Sequence, residues 1–159
     1  MHMTLEANYA IRIVELLADS CEKLDAKTIA EESEVPLRFA LKILRKLVTD
    51  EIVCSYKGAK GGYKINGDPK NITLRRVIES VEGPFMLSRC QGAEYGCTKP
   101  HCRLHSVYSE VSQFVRDKLD SYNFGSICCR ESCKEGCPET KAKASKALTA
   151  PNDQCDDKQ

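Results

Sequence analysis

The residues from Asp25 to Ile65, DAKTIAEESEVPLRFALKILRKLVTDEIVCSYKGAKGGYKI, decide the fold. Asp25 can accept bonds from the free amides of a helix's first turn, and Ile29 and Ala30 give that helix an inner face before it ends near Ser33. A Ser33-Glu34-Val35 turn leads to Pro36, whose missing N–H costs nothing at the first position of a following helix. There Leu37, Ala40, Leu41, Ile43, Leu44, Leu47 and Val48 recur at helical spacing as an inward stripe, which leaves Arg38, Lys42, Arg45 and Lys46 outside it. Ile52 to Tyr56 and Tyr63 to Ile65 then read as two short strands joined by Lys57-Gly58-Ala59-Lys60-Gly61-Gly62, a hairpin with a basic, glycine-rich tip. Two helices with a tight turn, the second basic and followed by a basic hairpin, predict a winged helix-turn-helix.

Working outward, Leu5, Tyr9, Ala10, Ile13, Val14, Leu16 and Leu17 predict a preceding amphipathic helix over about Thr4 to Ala18. On the other side Thr73 caps a helix carrying Leu74, Val77, Ile78 and Val81, which Gly83-Pro84 terminates. Residues 88–103 read as an irregular, cysteine-bearing loop. From Leu104 to about Phe124 apolar residues return at Leu104, Val107, Tyr108, Val111, Phe114, Val115, Leu119 and Tyr122, a spacing near 3.5, so a long helix is predicted with more stripe than one small core needs. Beyond Ile127 six basic and six acidic residues stand among almost no large apolar ones, and residues 126–159 are expected to be a flexible, Cys-rich tail. The fold class is therefore mainly α with a small β-hairpin, with the winged helix-turn-helix domain over residues 3–87.

A chain of 159 residues holds one ordinary domain, or a small domain with a long helix and a tail. Its net charge of +1 hides a segregation: residues 1–35 carry three basic and eight acidic side chains, residues 36–64 seven basic and two acidic ones. A local basic face of that kind suits a polyanion. No run approaches the roughly eighteen apolar residues of a membrane span, and the start lacks the pattern of a signal peptide, so a cytoplasmic location and no membrane partner are expected. In a reducing compartment ten cysteines point to metal or redox chemistry rather than disulfides. An enzyme is not expected, because the sequence holds no redox C-x2-C between strand and helix, no phosphate-cradling glycine motif and no Ser/His/Asp arrangement.

Arg38 and Phe39 at the start of the basic helix, with Lys42, Arg45 and Lys46 further along, are candidates to meet bases or phosphates of double-stranded DNA. Lys57 and Lys60 at the hairpin tip are placed to reach backbone or minor groove, since glycines let main chain approach the duplex closely. The second constellation is Cys90, Cys97 and Cys102, spaced C-x6-C-x4-C, with His105 three residues later. Three thiolates and an imidazole on one short stretch can converge on a metal, and their spacing suits zinc or an iron–sulfur cluster equally. Cys128, Cys129, Cys133 and Cys137 in the tail, with Cys155 left over, lack an apolar scaffold and read as reactive thiols rather than a second site. Cys21 and Cys54 read as small packing residues.

Several segments, in order and over about Met3 to Phe124, resemble the IscR/NsrR family of winged-helix regulators: Asn8-Tyr9-Ala10-Ile11-Arg12, Thr28-Ile29-Ala30, Ser55 to Tyr63, and Ile72 to Pro84. The resemblance implies that the basic helix and the hairpin contact a palindromic operator. It also implies that residues 104–125 form a dimerisation helix, pairing two copies through Val107, Val111, Phe114, Val115 and Leu119. Its cluster-binding members carry three cysteines in the loop that here spans 88–103, most commonly as C-x5-C-x5-C over the same total reach, and IscR-type members add a histidine three residues after the last. It thus implies a [2Fe-2S] cluster on Cys90, Cys97, Cys102 and His105, with a [4Fe-4S] cluster or zinc as alternatives. Nitric-oxide-sensing relatives use an N-terminal carboxylate instead; Asn8 holds that place here, with Glu6 and His101 as lesser candidates. The expected function is a homodimeric repressor-type transcription regulator under redox control of its cluster, acting on cluster-assembly or related genes. A zinc-bound or cluster-free regulator responding through thiols or to nitric oxide is the alternative.

Overall fold

The computed structural model describes residues 3–20, 22–58, 61–92 and 102–127. Helix α1 (Leu5–Asp19) opens at Thr4, whose hydroxyl accepts the Ala7 N–H, and buries Ala7, Ala10, Ile13, Val14 and Leu17. Asp25 caps α2 (Ala26–Glu32) by accepting from the Lys27 and Thr28 amides. The Thr28 amide and then its hydroxyl hold the Asp25 carboxyl below its ordinary value. Glu34, at φ 53°, closes the turn into α3 (Leu37–Thr49) and lets the Val35 N–H reach the Ala30 carbonyl at 2.9 Å.

Two details of α3 differ from expectation. Pro36 stands just before the helix rather than in its first position, and its carbonyl accepts from Phe39 and Ala40. Leu37 is 45% exposed, because Ala40, Ile43, Leu44 and Leu47 centre the buried face and Leu37 falls at its edge, in the turn furthest from the core.

Strands β1 (Val53–Tyr56) and β2 (Gly62–Ile65) pair antiparallel, with Val53 opposite Ile65 and Tyr56 opposite Gly62. The hairpin is fastened to the body by reciprocal backbone bonds between Leu24 and Tyr63, 3.0 and 2.7 Å long. Gly62 makes this docking feasible: its φ is 154° and a Cβ there would lie 2.7 Å from the Leu24 carbonyl oxygen. Cys54 is buried, while Cys21 lies outside the described residues.

Thr73 caps α4 (Leu74–Glu82), which stops at Gly83 with φ 82° and buries Val77, Ile78 and Val81. The long helix α5 (Arg103–Asp120) is shorter than its periodicity suggested. Its last residue is pinned to the start of α4, with Asp120 accepting from Thr73 Oγ1 at 2.9 Å and Arg75 at 2.6 Å. The chain then reverses: Asn123 bridges Thr73, the Phe124 N–H donates to the Ile72 carbonyl, and α6 (Phe124–Ile127) sends the Phe124 ring into the core. No helix among the described residues is long and apolar enough to cross a membrane.

Candidate nucleic-acid interface and metal centre

Opposite the buried stripe of α3, Arg38, Lys42 and Arg45 are exposed. Arg38 lies over the Phe39 ring at 4.9 Å, and Phe39 turns partly inward against Tyr9, ring centroids 5.9 Å apart. Lys46 is drawn to the flank: its Nζ sits 2.8 Å from Glu6 Oε1 and donates to the Val81 carbonyl at 2.8 Å. Lys42 Nζ lies 3.0 Å from Glu6 Oε2. Lys57 is exposed at the end of β1, and Lys60 lies outside the described residues. One cation went unnoticed in the sequence: Lys23 Nζ lies 3.7 Å from the centre of the Tyr56 ring beside the hairpin. The Leu24–Tyr63 bridge, a contact nearly forty residues long in sequence, brings it there.

The loop after α4 is held to α5 by a buried polar knot. Ser112, 0% exposed, accepts the Leu87 N–H at 3.0 Å and donates to Gln91 Oε1 at 3.1 Å, and the same Gln91 oxygen accepts the Ser88 N–H. Arg116 donates to the Phe85 carbonyl, and Glu79 Oε1 accepts the Phe85 N–H. Cys90 therefore sits in a short 3-10 turn, Arg89–Gln91, fastened to the inner face of α5. His105 lies on that same face, seven residues before Ser112. Cys102 immediately precedes α5, and its carbonyl accepts the His105 N–H at 3.1 Å.

The donor set fits a metal on one observation above all. His105 Nδ1 is buried with no hydrogen-bond partner among the described residues, an arrangement that leaves an imidazole nitrogen desolvated unless something binds it. Cys90 and Cys102 are thiols outside any disulfide. Cys97 and His101 lie outside the described residues, as do Cys128, Cys129, Cys133, Cys137 and Cys155, and no group of three metal-binding side chains is assembled among the described ones. Glu6 is engaged with two ammonium groups and Asn8 is exposed on α1.

Ser112 and Gln91 escaped sequence reasoning, although Ser88-x-x-Gln91 carries the spacing of a helix-start box. Ser112→Ala is expected to leave the Leu87 amide unpaired at a cost of about 1–3 kcal/mol. Hydrogen exchange should show faster exchange at Leu87 and Ser88 with little change in α1; unchanged protection there would contradict the knot.

The outer face of α5 is apolar. Leu104, Val107, Val111 and Phe114 are exposed, at successive spacings of three, four and three residues. Val115 is half-buried, and Leu119 packs against the chain's own core, lining a cavity of about 530 Å³ with Met3, Ile78, Phe85 and Met86.

The sequence model of the Rrf2 family, described as iron-dependent transcriptional regulator, matches residues 3–130. The helix-turn-helix-type transcriptional regulator Rv1287 of Mycobacterium tuberculosis is 27% identical over 130 residues, covering 80% of this chain and 81% of that protein. Among solved structures, CymR of B. subtilis, titled the global cysteine regulator, superposes with a TM-score of 0.67 at 20% identity over 80% of this chain and 96% of its own. IscR of T. potens gives a TM-score of 0.67 at 19% identity, covering 89% and 96%. The fold of these solved regulators is the fold of this chain.

Proposed function

Because the chain belongs to the Rrf2 family of transcriptional regulators, we propose that it binds a two-fold-related operator as a homodimer and that a [2Fe-2S] cluster on Cys90, Cys97, Cys102 and His105 sets its affinity. Arg38 and Arg45 on the outer face of α3 and Lys57 on the hairpin are placed to meet the duplex, with Lys60 added from the sequence. The apolar strip on α5 is the surface for the second copy.

The observation that carries the cluster reading is the buried Nδ1 of His105, without a hydrogen-bond partner among the described residues, on the face of α5 that also holds the Cys90 turn. When bound, an iron–sulfur cluster supplies a redox-active centre whose loss or oxidation changes the charge of the site. The chain's own part is to present an imidazole nitrogen and cysteine sulfurs as ligands and to anchor one end of the loop through Ser112 and Gln91. Because that loop joins α4 to the pairing helix, ordering it biases the separation of the two recognition helices. The class of genes expected under this control is iron–sulfur cluster assembly or related genes.

Anaerobic purification with iron and sulfide determination tests this. The expected wild-type protein is coloured and carries both elements. In His105→Ala a changed visible spectrum and faster cluster loss are expected. Colourless protein with stoichiometric zinc would replace the cluster with zinc, and an unchanged spectrum in His105→Ala would remove His105 from the ligand set.

A further inference from the structure

On the reading that α3 meets DNA, we propose that Glu6 is an affinity-tempering counter-charge: it withholds Lys42 from phosphate, so that the outer face of α3 grips DNA through Arg38 and Arg45. Glu6 stands in the first turn of α1, thirty-six residues before Lys42, and its carboxylate is gripped on both oxygens by lysines one turn apart on α3. The two lysines are not equivalent. Lys46 also donates to the Val81 carbonyl, so it alone ties α1 and α3 to the end of α4. A structural tie needs no second lysine. Lys42 contributes none of that bridging, and its side chain is 57% exposed on the face that carries Arg38 and Arg45.

The carboxylate is well suited to the role. Contacts first with Lys46 and then with Lys42 hold it below its ordinary value against the opposing effect of burial, and so favour its charged form. Favouring the helix dipole needs only a negative charge in the first turn of α1, and it leaves the aim at Lys42 unexplained.

Binding to arbitrary sequence is driven by phosphate neutralisation and counter-ion release. Removing one lysine from that count weakens binding about uniformly across sequences and flattens its salt dependence, whereas contacts to base edges survive. Glu6 is thus a positioning residue on α1 for a face on α3.

The test measures affinity against salt for the full chain, using a random-sequence duplex and an operator selected by the wild-type protein from a randomised pool. Glu6→Gln is expected to tighten binding to both duplexes, to steepen each log K against log salt slope by about 0.9, and to leave the operator-to-random ratio near its wild-type value. Glu34→Gln makes the same change in net charge but releases Arg12 instead, and is expected to leave the slope unchanged. Lys42→Met, with Glu6 intact, is expected to leave the slope at the wild-type value. A slope lowered by about 0.9 in Lys42→Met means that Lys42 already contacts phosphate, and overturns the proposal. Equal slope changes in Glu6→Gln and Glu34→Gln overturn it as well. Arg38→Ala/Arg45→Ala separates this from the premise: operator binding that survives the double change removes α3 as the reading element and both claims fall together.

Discussion

Glutamate at both Val111 and Phe114 is expected to turn the proposed dimer into a folded monomer and to weaken binding to a two-half-site operator by about 100- to 10,000-fold. Leu104, Val107, Val111 and Phe114 repeat with the three-and-four spacing of a coiled-coil seam, and Phe114 is 72% exposed. Nothing among the described residues covers them, whereas the opposite face of α5 is committed to Ser112, Arg116 and Leu119 contacts within the chain. Two carboxylates in a self-complementary seam meet their own copies across the two-fold axis, so the repulsion is counted twice. Each monomer then pays the full cost of association for its half-site alone. Sedimentation should report the mass of one chain, with a melting temperature close to that of the parent at matched concentration only if the dimer contributes little to it. A double variant that still sediments as a dimer would remove the α5 seam as the interface.

Phe124→Ala is expected to destabilise the fold by about 3–5 kcal/mol, a large share of the stability of a small domain. Its ring is 0% exposed in the core that α1, α3 and α4 build, and no neighbour can collapse into the gap without moving a helix. Phe114→Ala, ten residues earlier, is expected to change monomer stability by no more than about 0.5 kcal/mol. Denaturant unfolding at one protein concentration, of Phe124→Ala on the Val111→Glu/Phe114→Glu background and of Phe114→Ala on a monomeric Val111→Glu background, separates core from seam. Equal losses for the two phenylalanines would mean that α6 does not hold the core. Release of α6 would also free the Asp120 anchor, so Phe124→Ala is expected to raise exchange at the end of α5 as well.

Much of the architecture was legible because it rests on local physics. Asp25 and Thr73 cap the helices they were expected to cap, since a side-chain acceptor needs only its own next turn. The hairpin and the helix-turn-helix follow from periodicity and glycine placement, which are likewise short-range. The positive charge on α3 was visible, but its deployment was not. Lys42 and Lys46 look alike in sequence, yet one is exposed beside Arg38 and the other bridges Glu6 and Val81, because their neighbours come from α1 and α4. The thiol and imidazole spacing predicted a metal site, which stands as a proposal, but the Ser112–Gln91 knot that anchors Cys90 joins residues twenty-one apart.

The long helix shows the division most clearly. Sequence by itself determined that residues from Leu104 onward carry an apolar stripe too broad for one small core, because helical spacing is a property of the chain alone. Only the tertiary structure decided how that stripe is shared: Leu119 and Phe124 go to the chain's own core, and Leu104, Val107, Val111 and Phe114 stay outside. The Thr73–Asp120 and Arg75–Asp120 contacts end the helix and rotate it onto α4, and no local rule reveals which face a distant threonine and arginine will claim. Burial is a choice among surfaces, and the surfaces exist only once the chain has folded.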